Sequence, residues 1–109
     1  MKLVILESPY AGDVDRNVRY ARLALADSLR RGEAPIASHL LYTQPGVLDD
    51  DKPDERALGI EAGLQWGKVA EAAVFYIDLG WSRGMEAALA RHKAEGRPWE
   101  LRHVNEWEG

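Results

Sequence analysis

The chain opens on an unbroken aliphatic run, Leu3 to Leu6, which meets Glu7 and then the turn-forming cluster Ser8-Pro9-Tyr10-Ala11-Gly12. A short run without polar alternation predicts a strand covered on both faces. From about Asp15 to Arg31 the apolar positions Val18, Ala21, Leu25 and Leu29 recur at spacings of 3 and 4, and Gly32 follows where a helix would end. That spacing predicts a first helix with one buried stripe. Ala34 to Ser38 predicts a second strand, and Pro35 sends it to a sheet edge because proline cannot donate to the ladder. His39 to Pro53, with Pro45-Gly46 and the triplet Asp49-Asp50-Asp51, predicts a long loop able to act as a lid. A second helix is expected from Asp54 to about Val69, with Ala57, Ile60 and Leu64 on its stripe and Trp66 nearby. Ala72 to Ile77 is the most apolar run of the chain and predicts a central strand. A third helix from Ser82 to Glu95 closes at Gly96. In the half-exposed last strand, Trp99, Leu101 and His103 alternate with Glu100 and Arg102. The tail from Asn105 to Gly109 is expected to fray.

Strands and helices alternating in this way imply parallel strands joined by right-handed helical crossovers. The expected fold is therefore a three-layer α/β/α sandwich with a small parallel sheet of about four strands, flavodoxin- or Rossmann-like. The order 2-1-3-4 puts the two most apolar strands in the middle. At 109 residues, with no repeat or linker, residues 1–109 are expected to form one domain.

Composition narrows the function classes. With 46% hydrophobic and 29% charged residues the chain can bury a core. A net charge of -4 argues against gripping a long nucleic acid, which needs clustered Lys and Arg. The absence of Cys excludes disulfides, thiolate metal sites and a Cys nucleophile. No two of His39, His92 and His103 stand at a ligand spacing, so no metal is expected. Neither a membrane-spanning run nor a signal-peptide core is present, which leads to the expectation of a cytoplasmic protein.

In an open parallel sheet, ligands bind beyond the carboxyl ends of the strands, where strand order reverses. The segments expected there are Glu7 to Asp13, Ser38-His39, and Asp78 to Glu86. Two helix starts, near Asp13 and Ser82, would favour an anion such as a phosphate. Neither a Walker loop nor a dinucleotide fingerprint is present.

These segments carry a resemblance. Glu7-Ser8-Pro9-Tyr10-Ala11-Gly12, Asn17 one turn into the next helix, Ser38-His39-Leu40-Leu41-Tyr42, Glu55-Arg56 with Gly59-Ile60, Asp78-Leu79-Gly80, Ser82-Arg83-Gly84-Met85-Glu86 and Gly96-Arg97-Pro98 together cover most of the chain. The pattern resembles the small nucleoside 2-deoxyribosyltransferase-like proteins, in their short bacterial and phage branch. The resemblance implies N-glycosidic chemistry on a nucleoside or nucleoside 5′-monophosphate without a cofactor. It implies Glu86 as nucleophile, Asp78 as base-side acid or ligand anchor, and Tyr10 as the group orienting the nucleophile. Ser8, Gly12, Asp13, Asn17, Ser38, His39, Gly80, Ser82, Gly84 and Met85 would then surround the substrate. A carboxylate suits an oxocarbenium-like centre, and a second carboxyl can protonate the leaving base.

Each residue also has a plainer role. Glu86 in a first helical turn would complement the helix dipole, Ser8 and Tyr10 would cap and pack a turn, and His39 would be a packed histidine. The alternative to an enzyme is a module that binds a nucleotide or nucleotide-derived signal without turnover. A chain this short is expected to form a homo-oligomer in which a neighbour helps close the site.

Overall fold

The aliphatic opening run forms β1 (Lys2–Glu7), and the computed structural model describes residues 1–105 and 107. It is followed by α1 (Val14–Arg30), β2 (Glu33–Ile36), the single turn α2 (Ser38–Leu41), α3 (Pro53–Gly67), β3 (Ala72–Tyr76), α4 (Arg83–Ala94) and β4 (Trp99–Arg102). All four strands pair in parallel in the order β2-β1-β3-β4. This is the Rossmann-like order expected from the hydrophobic pattern. Every residue of β3 is buried, as a strand covered on both faces must be.

The sheet separates two cores. On the α1 face, Val4, Leu6, Val74 and Tyr76 pack with Tyr20 and Ala24 of the helix and with Val104. On the opposite face, Ile5, Ala73 and Phe75 pack with Met85 and Ala88 of α4, joined by Leu64 of α3. Among the described residues no helix is long and apolar enough to cross a membrane.

Three local expectations need correction. The buried stripe of α1 is Asn17, Tyr20, Ala21, Ala24 and Ser28, while Leu29 is exposed. Asn17 and Ser28 turn inward because each finds a partner there. Asn17 Nδ2 donates to the carbonyls of Tyr10 (2.8 Å) and Ala11 (3.1 Å), and Ser28 Oγ donates to Glu33 Oε1 (2.8 Å).

In α3 the buried positions are Gly63 and Gly67, whereas Ala57 is exposed and Ile60 and Leu64 are half-buried. The helix lies so close to α2 that a Cβ on Gly63 would overlap Ser38 Oγ. In β4 the buried side chain is Arg102, and Trp99 and Leu101 are exposed. Arg102 turns inward to a bidentate pair with Glu33 (2.7 and 2.6 Å), which compensates its loss of water.

The long loop after β2 begins as α2 and then folds back, with Leu48 N–H donating to the Tyr42 carbonyl at 3.0 Å. At the tail, Trp107 packs edge-on against Tyr20 with ring centroids 5.0 Å apart. The remaining tail residues expected to fray, Glu106, Glu108 and Gly109, lie outside the described residues.

Candidate functional site

The carboxyl end of β1, α2, the first turns of α3 and the start of α4 enclose a cavity of about 80 Å³. Its wall includes Glu7, Ser8, Tyr10, Ser38, His39, Tyr42, Arg56, Ser82, Gly84 and Met85. It shares Tyr10, Ala11, Leu48 and Arg56 with an open basin of about 580 Å³, bounded by Gly12, Val14 and the loop from Pro45 to Asp51. The inner cavity has room for several water molecules. Anything larger must extend into the basin.

Glu7 ends the aliphatic run of β1, so the strand delivers a carboxyl group straight to the cavity wall. Burial pushes its pKa from the usual 4.5 up to about 8, which keeps it protonated at neutral pH. Ser8 is 3% exposed, and its Oγ is hydrogen-bonded to His39 Nε2 at 2.7 Å. Burial drives the His39 imidazole down to about 4, so it is neutral. Its Nδ1 is buried without a hydrogen-bond partner among the described residues. An acid, a hydroxyl and a neutral imidazole thus stand together at the end of one strand.

The surrounding residues hold this geometry. Trp66 Nε1 donates to Tyr42 OH at 2.7 Å and ties α3 to the end of α2. Ser82 caps α4 by accepting from Met85 N–H at 3.2 Å, and Asp13 caps α1 by accepting from Arg16 N–H at 3.2 Å. The two bonds from Asn17 fix the Tyr10-Ala11 turn. Gly12 and Gly80 have φ of +101° and +85°, a region L side chains rarely adopt, so each serves its turn.

The residues singled out in the sequence therefore divide. Ser8, Tyr10, Ser38, His39, Ser82, Gly84 and Met85 line the cavity, and Gly12 lines the basin. Asp13 and Asn17 stand behind the wall as cap and brace. Asp78 is turned to the α1 side. It accepts from Tyr20 OH, from Val104 N–H (2.8 Å) and pairs with His103 Nδ1 (3.1 Å). Burial alone would raise the Asp78 carboxyl, but these bonds outweigh it and hold it below the usual range. Glu86 is exposed on α4 and does not line the cavity, although its neighbour Met85 does.

The wall also includes residues that were not assigned site roles from the sequence, among them Glu7, Tyr42, Arg56 and Gly63. For Glu7 a signal exists, a lone acid ending a fully apolar run. The closeness of Gly63 to Ser38 depends on how two helices pack, which a single sequence does not display.

Fold and cleft together define a small Rossmann-like α/β domain with a small cavity beside an open basin at the carboxyl edge of its sheet. Residues 2–102 match the family described as a domain of unknown function (DUF7768), and the chain belongs to that family. A search of the curated proteins finds no match.

Proposed function

We propose that the cleft binds a nucleoside or nucleoside 5′-monophosphate and cleaves or transfers its N-glycosidic bond, with Glu7 as the acid. The observation that carries this reading is the Glu7 carboxyl, desolvated on a cavity wall and holding its proton to about 8. A departing base needs a proton on its nitrogen as the C–N bond breaks. A carboxyl group kept protonated by an apolar environment supplies one at neutral pH. In the hydrolytic case the Glu7 proton goes to the base, the hydroxyl of a water joins the anomeric carbon, and the water's remaining proton returns to Glu7. The Ser8 hydroxyl and neutral His39 lie on the same wall to orient that water or the sugar. The motif resemblance supports the substrate class, and the basin provides the space the small inner cavity lacks.

One observation favours a second reading, binding without turnover. Of the three carboxyls Glu7, Asp78 and Glu86, only Glu7 lines the cavity. Asp78 is occupied by Tyr20 and Val104.

The test is release of free base from deoxyribonucleosides and their 5′-monophosphates. The reading expects release by the wild type, a loss of about 10²–10⁴-fold in Glu7→Gln as for removal of a general acid, and little change in Glu86→Ala. Ligand-induced stabilisation with no release identifies the binding module. Release abolished by Glu86→Ala and kept by Glu7→Gln contradicts the assignment of the acid.

A further inference from the structure

The charges around the cleft are uneven. The basin wall carries Asp49, Asp50, Asp51 and Glu55 against the guanidinium of Arg56, the one Lys or Arg lining either compartment among the described residues. Lys52 Nζ, 3.5 Å from Glu55 Oε2, offsets only that one carboxylate. Asp49 Oδ1 accepts from Asp51 N–H (3.0 Å), a bond within the loop that leaves the charge of Asp49 in place. The helix starts beside the cleft offer an anion little in return. Asp13, the cap of α1, is itself a carboxylate between the basin-lining Gly12 and Val14, and it accepts the Arg16 N–H. In α4 the Ser82 hydroxyl and carbonyl already accept from the N–H groups of Met85 and Glu86.

We propose that the cleft takes the uncharged deoxyribonucleoside in preference to its 5′-monophosphate, and that Asp49, Asp50 and Asp51 make the selection. This rests on the reading of the cleft as a nucleoside site and names the form of that substrate it accepts. A phosphate monoester carries about −1.5 to −2 charges at pH 7. In the inner cavity of about 80 Å³ it would have to shed water beside Glu7 and His39, where desolvation already holds both of those groups uncharged. In the basin it would face the three aspartates with only Arg56 to attract it. A 5′-hydroxyl meets neither obstacle. It is also a donor, which suits a wall richer in carboxylate acceptors than in cations.

The test compares a deoxyribonucleoside, its 5′-monophosphate and its 5′-O-methyl ether, by base release and by calorimetric binding, at low and high ionic strength. At low salt, kcat/KM, or affinity where no base is released, should be about tenfold or more higher for the nucleoside than for the monophosphate. Added salt should narrow that gap by screening. The methyl ether adds bulk at the same position without charge, so it should follow the nucleoside. Replacing the loop carboxylates together, by Asp49→Asn, Asp50→Asn and Asp51→Asn, keeps an acceptor for the Asp51 position's N–H and should close most of the gap by improving the monophosphate. Equal use of nucleoside and monophosphate, a gap unmoved by the triple substitution, or a methyl ether as poor as the monophosphate would overturn the selection, while base release or binding in the same assays leaves the nucleoside reading standing. If none of the three compounds is bound or cleaved, both are overturned.

Discussion

A carboxyl group at the end of an apolar strand must either find a cation or keep its proton. Glu7 keeps its proton, and this has a consequence for stability. The unfolded chain releases that proton near 4.5 and the folded chain near 8, so between those values the folded state binds more protons. The stabilising contribution of Glu7 is complete below about 4.5, falls as pH rises, and is gone above about 8. Glu7→Gln should remove this slope, measurable as a smaller loss of denaturation midpoint between pH 5 and 8. His39 acts in the opposite sense. Its pKa is depressed from 6.5 to about 4, so its contribution is present above 6.5 and lost as pH falls toward 4. At Gly63 the expectation is steric. A methyl group would meet Ser38 Oγ, so Gly63→Ala should cost about 1–3 kcal/mol in urea unfolding, in line with overpacking elsewhere. It should also disturb the cavity wall that both residues line. Glu7 was legible as a residue delivered to the sheet edge. Its protonation was not, because that follows from walls contributed by α2, α3 and α4.

At the scale of elements, polar residues did more than the hydrophobic pattern allowed for. The spacing of Val18, Ala21, Leu25 and Leu29 locates α1 but misorients it. The inward face includes Asn17 and Ser28, whose partners sit on the β1 turn and on β2. The alternation in β4 misleads for the same reason. Arg102 is 5% exposed and reaches under α1 to Glu33, with Tyr76 OH 3.2 Å from its Nη1. A charge reads as solvent-facing unless its partner is known, and here the partner is 69 residues away in sequence. Arg102 holds the Glu33 carboxyl below the usual range, with Ser28 assisting against the opposing effect of burial. Truncating Arg102 strands that carboxylate. Arg102→Ala should therefore destabilise the fold by about 3–5 kcal/mol, and the double variant Arg102→Met with Glu33→Leu should recover much of the loss. Chemical denaturation of the double variant and of its two single variants, Arg102→Met and Glu33→Leu, decides this. Additive losses would show that the two residues act separately.

For the whole molecule, topology was the most legible feature. A strand such as Ala72 to Tyr76, buried along its whole length on both faces, has no stable place except the middle of a sheet. Proline in β2 fixes the opposite choice, and the crossover rule leaves one arrangement. The location of the cleft follows from that order, beyond the end of β1. Its chemistry was less legible. The sequence places Glu7, Asp13, Asp78 and Glu86 near one edge, yet side chains on successive strand residues point to opposite faces. Asp78 therefore goes to α1 while Glu7 goes to the cavity. The account rests on the state of that one group. Carbon-13 NMR of the glutamate carboxyls, with the Glu7 signal assigned by its absence in Glu7→Gln, measures it directly. The predicted result is a midpoint near 8 that moves when a deoxyribonucleoside is added. A midpoint at the ordinary value of 4.5, unchanged by any nucleoside or monophosphate, would contradict it.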